Sequence, residues 1–178
     1  MKNPGVRYGL LGGIAVVFYF AILYFVKKEL FLHVGFYWAS MAIYLLFMWQ
    51  AAKEDCAENG VVRDFREILR IPFIVFLLTN LLFWLFWYTM HLADPALLQM
   101  EATIKMNYLQ GQLANGPGDP QQANQLREQI QMLEKEGMSI TLGAVLLQMG
   151  IGALGGFALA AGIAAIQRNS GNRSQKTP

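Results

Sequence analysis

The chain has 178 residues, of which 55% are hydrophobic and only 15% charged, with a formal net charge of +2 at pH 7. A soluble domain carries about 25% charged residues, so this deficit, with a mean hydropathy of +0.34, points to an integral membrane protein of one domain. The small net charge argues against nucleic acid as a partner, and a single cysteine, Cys56, excludes an intrachain disulfide and any CxxC metal or redox motif.

Four apolar segments follow in chain order, and none has an Asp, Glu, Lys or Arg in its interior. Span one is expected at Tyr8–Val26, span two at Phe31–Ala52, span three at Ile71–His91 and span four at Ser139–Ile166. Each reaches or exceeds the roughly 17–25 residues needed to cross a hydrocarbon core, and lipid offers no partner to a bare backbone N–H or C=O, so each must be helical. Lys2 and Arg7 could begin a signal peptide. The apolar run after them, however, is longer than an ordinary signal core of about 7–15 residues and lacks a small-x-small cleavage site. It reads as an uncleaved first span.

Span one opens with Gly5, Gly9 and Gly13, and span four carries Gly152, Gly156, Ala160 and Ala164. Small residues spaced by four lie on one helix face and let two backbones approach closely. Such a row serves either a homodimer seam or packing within one bundle, and the second reading is favoured. Polar residues inside the spans are few. Asn80 and Gln148 are the central ones, expected to act as hydrogen-bonding glue between helices. Aromatic residues gather near the span ends: Tyr37 and Trp38, Trp49, Trp84 and Trp87, as expected of anchors in the headgroup zone.

Between spans two and three, Lys53–Arg70 begins charged, turns at Asn59-Gly60, and then places Val62, Phe65, Ile68 and Leu69 at helical spacing among Arg63, Arg66 and Arg70. This suits a short interfacial helix that anchors the topology. Between spans three and four, Asp94-Pro95 can start a helix, with Asp as cap and Pro at its first position. Leu97, Met100, Ile104 and Tyr108 then recur at spacings of three and four. After the breaker Asn115–Pro120, Ala123, Leu126, Ile130 and Leu133 form a second row. A helical hairpin over about 95–137 is expected, with these two rows facing each other.

Lys and Arg counts orient the chain. Nine lie on the side shared by the amino end, the loop after span two and the tail; five lie on the other. Both termini are therefore expected in the cytoplasm and the hairpin outside, with a disordered polar tail at 169–178 after a single domain at 1–168.

Residues carry a family resemblance as well. The opening Met-Lys-Asn-Pro-Gly-Val-Arg-Tyr-Gly leads straight into a glycine-containing span. Asn59-Gly60 with Phe65-Arg66-Glu67 precedes span three, and Asp94-Pro95 precedes a Gln-, Glu- and Met-rich helix pair. Nearly the whole chain resembles the four-span membrane family known as domain of unknown function 4199, found mainly in Bacteroidetes. The resemblance implies a protein of a bacterial inner membrane and supplies no catalytic residues.

His33 and His91, at the facing ends of spans two and three, are the metal or haem candidates, with Met90, Met100, Met106, Met132 and Met138 as possible thioether neighbours. No HExxH, Walker or GxGxxG arrangement occurs. No enzyme, cofactor or metal is expected. The leading function is a structural or interaction protein acting through Leu97, Met100, Ile104, Leu126, Ile130 and Leu133 of the hairpin, either as a homodimer or with a membrane-protein partner. A small transporter is the alternative, and a metal or haem site using the two histidines is the second.

Overall fold

Asn3 starts the first helix by the device its sequence suggests: its Oδ1 accepts from the Gly5 N–H at 2.9 Å, and Pro4 takes the first helical position. The structure, a computed structural model, describes residues 3–60, 64–116, 119–136 and 139–174. Among these, the elements are α1 (Pro4–Val26), α2 (Lys28–Leu32), α3 (Val34–Asn59), α4 (Phe65–Ala93), α5 (Pro95–Ala114), α6 (Pro120–Glu136) and α7 (Leu142–Ser174). The chain divides into two compact units, one of Met1–Trp87 with Gly143–Pro178 and one of Tyr88–Leu142.

In the first unit, α1, α3, α4 and α7 are long and apolar enough to cross a membrane. Only 22–39% of each spanning window is buried against protein. The outward surface carries Leu11, Ile14, Phe18, Leu147 and Leu154. In water such a surface would far exceed the apolar patches of a soluble monomer; in lipid it needs no cover. The protein is a multi-pass membrane protein.

α4 is the most buried of the four. Val75, Phe76, Thr79 and Phe83 are enclosed along it, together with Val16 and Phe20 of α1 and Tyr44 and Met48 of α3. Rings interlock through this core: Phe20 lies 4.9 Å from Phe83 and 5.9 Å from Phe31, and Tyr44 lies 5.3 Å from Phe76, between centroids. Tilted and edge-on pairs of this kind add about 0.5–1.5 kcal/mol beyond area burial.

Several boundaries differ from those expected. Phe31 belongs to the short α2, where its ring packs on Tyr24 and Phe86. Span two begins instead at Val34, because His33 caps it: Nδ1 accepts from the Gly35 N–H at 3.1 Å. α3 continues past Ala52 through the charged residues to Asn59, since Ala52, Asp55 and Cys56 remain on its buried face. Gly60, at φ +81°, stops it. The interfacial helix expected before span three is not separate, for α4 is continuous from Phe65. Ile68 packs with Cys56 and Ala164, and the same buried face passes through Pro72 to Val75. Val61, Val62 and Arg63 lie outside the described residues. α7 runs through Ser174, beyond the expected end at Ile166, so the expected tail is helical over 169–174; residues 175–178 lie outside the described ones.

In the second unit, the Asp-Pro device occurs twice. Asp94 Oδ1 accepts from Ala96 N at 3.2 Å before Pro95, and Asp119 Oδ1 accepts from Gln121 N at 2.9 Å before Pro120. Gly116, at φ +76°, supplies the left-handed turn residue after α5. α5 and α6 pack together as a hairpin. Its core holds Leu97, Leu109 and Leu126, with Leu98, Ala102, Leu113, Ala123, Ile130 and Leu133 half-buried. The α6 row is the expected one. The α5 row is rotated: Ile104 and Tyr108 are exposed.

Candidate functional site

The small-residue rows are used within the bundle. A Cβ on Gly9 would lie 2.9 Å from Leu78 Cβ, and one on Gly5 would lie 3.2 Å from the Ile71 carbonyl oxygen. One on Gly13 would fall inside the Leu82 side chain, so the α1 row is the seat of α4. On α7, a Cβ at Gly156 would fall inside the Phe76 ring, and Ala160 and Ala164 are fully enclosed. Gly152 faces the Asn80 amide.

Thr79 and Asn80 are neighbours on α4, about 100° apart around the helix, and they reach opposite partners. Thr79 Oγ1 donates to the Gly9 carbonyl at 3.2 Å, and Asn80 Nδ2 donates to the Met149 carbonyl at 3.2 Å. Asn80 is thus the interhelical tie expected of it. Gln148 is not: it is exposed, one position away from the turn that Asn80 meets. The two amides do not form a polar line through the bundle.

Beside Asn80 lies a cleft of about 210 Å³ between α3, α4 and α7. Tyr37, Trp38, Tyr44 and Phe76 form aromatic walls, and Met41, Asn80, Ser40, Gly152 and Gly155 complete the lining. The Ser40 hydroxyl is satisfied by the Tyr37 carbonyl at 2.7 Å. Sequence reasoning missed this cleft. Its one legible trace was the pair Gly152 and Gly155, where missing side chains leave room rather than bring helices together.

A charged cluster lies at the end of the bundle that carries the amino terminus. Arg7 pairs with Glu54 across 47 residues, and the Tyr8 hydroxyl donates to the same carboxylate at 2.9 Å. Asp55 is 4% exposed and accepts from Asn59 Nδ2 at 3.0 Å. Next to it, Asn3, Asp55, Glu67 and Arg70 line a polar cavity of about 330 Å³. Cys56 is a buried thiol packed among Phe65, Ile68, Leu69 and Ala164.

The histidines have separate local roles. His33 uses Nδ1 as a helix cap and is otherwise exposed. His91 is enclosed, with Nε2 3.2 Å from Glu101 Oε2 on α5. Met90, Met100 and Met106 are half-buried, Met132 is exposed, and Met138 lies outside the described residues. Among the described residues, no three His, Cys, Asp or Glu side chains gather as metal ligands would.

Of the six hairpin residues expected to meet a partner, Leu97 and Leu126 are buried within the unit, and Met100, Ile130 and Leu133 are half-buried. Ile104, at 49% exposure, faces outward. Tyr108 at 63% and Met132 at 62% are the other outward apolar side chains of α5 and α6.

The sequence profile of the family described as "Protein of unknown function (DUF4199)" matches residues 7–169, and the chain belongs to that family. No curated protein and no solved structure matches it.

Proposed function

We propose that this family member is a non-enzymatic interaction protein of a bacterial inner membrane. Its four spans anchor the α5–α6 hairpin, and the hairpin meets a second copy or another membrane protein. The observation that carries this reading is the set Ile104, Tyr108 and Met132. All three are turned outward; the Tyr108 hydroxyl accepts from Gln112 Nε2 on its own helix at 2.6 Å, and none of the three lies in the core of the hairpin. Aromatic and Met side chains are enriched where protein surfaces meet.

The bundle supports the reading from the other side. Its interior polar groups serve helix association, with Thr79 tied to α1 and Asn80 tied to α7. A path for a polar solute needs more than these, and Gln148 faces outward. Permeation is therefore the weaker alternative. Placement of both termini in the cytoplasm rests on the nine-to-five division of Lys and Arg.

Isolation of the full chain in mild detergent, followed by native mass spectrometry, tests the reading. The expected result is a complex, homomeric or heteromeric, that is lost in the double variant Ile104→Ser, Tyr108→Ser. Recovery of monomer alone from native membranes would count against it.

A further inference from the structure

The cleft between α3, α4 and α7 has the makings of a ligand site that the hairpin reading does not need. Tyr44 is 5% exposed and lines the cleft, and its hydroxyl has no hydrogen-bond partner among the described residues. A hydroxyl that opens on such a cleft can donate to a ligand, and in a bilayer no bulk water competes for that bond. Asn80 adds a second donor. Its Nδ2 gives one hydrogen to the Met149 carbonyl at 3.2 Å, and an amide nitrogen carries two. The rings of Phe76, Tyr37 and Trp38 and the Met41 side chain stand around them.

The volume fits one ring with substituents. An apolar cavity of about 150 Å³ binds benzene, and this cleft has about 210 Å³. Its room comes from glycine: a Cβ at Gly155 would meet nothing within 4 Å. Tyr37 and Trp38 are partly exposed on a face that lipid covers, so a ligand dissolved in the bilayer can enter from the side. A plain acyl chain would fill the space but leave the Tyr44 hydroxyl unsatisfied. An anion or cation would find no counter-charge, since no charged residue lines the cleft.

We propose that this cleft binds a lipid-soluble planar ring bearing a carbonyl acceptor, the quinone class of ligand. The ring lies among the aromatic walls, and a carbonyl oxygen accepts from the Tyr44 hydroxyl or the Asn80 amide. This assignment stands independently of the hairpin.

Quenching of tryptophan fluorescence by ubiquinone-1, with the full chain in nanodiscs, tests it. Saturable quenching above the linear background of partitioned quinone is expected. Tyr44→Phe, which keeps the ring and removes the donor, is expected to weaken the saturable phase about 2–10-fold, the range of one hydrogen bond. Gly155→Leu, at a position with open space, is expected to abolish it. Quenching that is linear in quinone and equal in wild type and Gly155→Leu would overturn the proposal. So would competition by hexylbenzene, which lacks a carbonyl, as effective as that by the quinone itself. Should Gly155→Leu fail to fold, Tyr44→Phe and the hexylbenzene competition decide the question.

Discussion

Adjacent glycines on α7 should respond to the same substitution with opposite sign. At Gly156 a Cβ would fall inside the Phe76 ring, whereas at Gly155 it would meet nothing within 4 Å. The overlap reaches Phe76 Cγ as well as the ring edge, so the whole side chain must shift, and its ring packs on Tyr44 at 5.3 Å between centroids. Overpacking of a filled interior costs about 1–3 kcal/mol, and the constraint on Phe76 puts Gly156→Ala near the upper end. Replacing a helical glycine by alanine stabilises by about 1 kcal/mol. Gly156→Ala is therefore expected to destabilise by about 2 kcal/mol net and Gly155→Ala to stabilise by about 1 kcal/mol. At about 2–4 °C per kcal/mol for a chain of this size, their midpoints differ by roughly 6–12 °C in thermal unfolding followed by circular dichroism in detergent. Phe76→Leu in the Gly156→Ala background should recover part of the loss. Equal stabilisation by both alanines would refute the close α4–α7 contact and the helix arrangement built on it.

Three further outcomes follow from the same geometry. Thr79→Val removes the bond to the Gly9 carbonyl and should cost about 0.6 kcal/mol, the average for interhelical bonds in membranes, measured by SDS titration. Leu109→Ala should loosen the hairpin by about 2–4 kcal/mol, while Ile104→Ala stays within about 0.5 kcal/mol; hydrogen exchange of the α5 and α6 amides separates the two. Asp119→Ala removes the cap of α6 and should cost about 1 kcal/mol, with faster exchange confined to its first turn.

The spans were legible because a bilayer demands a long uncharged run, which depends on no distant residue. The glycine rows were legible for a related reason: spacing by four marks a face whatever covers it. What escaped depended on long-range partners. α3 continues through Glu54 and Asp55, and the Arg7–Glu54 pair joins residues 47 positions apart. The α5 face was misread because Leu97, Met100, Ile104 and Tyr108 make an acceptable row, while the true face includes Glu101. A carboxylate looks like a solvent residue in the sequence, yet Glu101 stands 3.2 Å from the enclosed His91. Gln148 and Asn80 looked alike as intramembrane amides, and only helix rotation separates them: one is buried, the other exposed. The cleft left only the Gly152 and Gly155 pair as a trace, since it is made where side chains are absent.

The central claim is that the outward face of the hairpin meets another polypeptide. Site-specific photo-crosslinking in living cells, with a benzophenone side chain in place of Tyr108, tests it most directly. A discrete protein adduct is expected from position 108, with none from position 97, where Leu97 is enclosed. Adducts from position 108 to lipid alone, or no adduct at all, would contradict the claim.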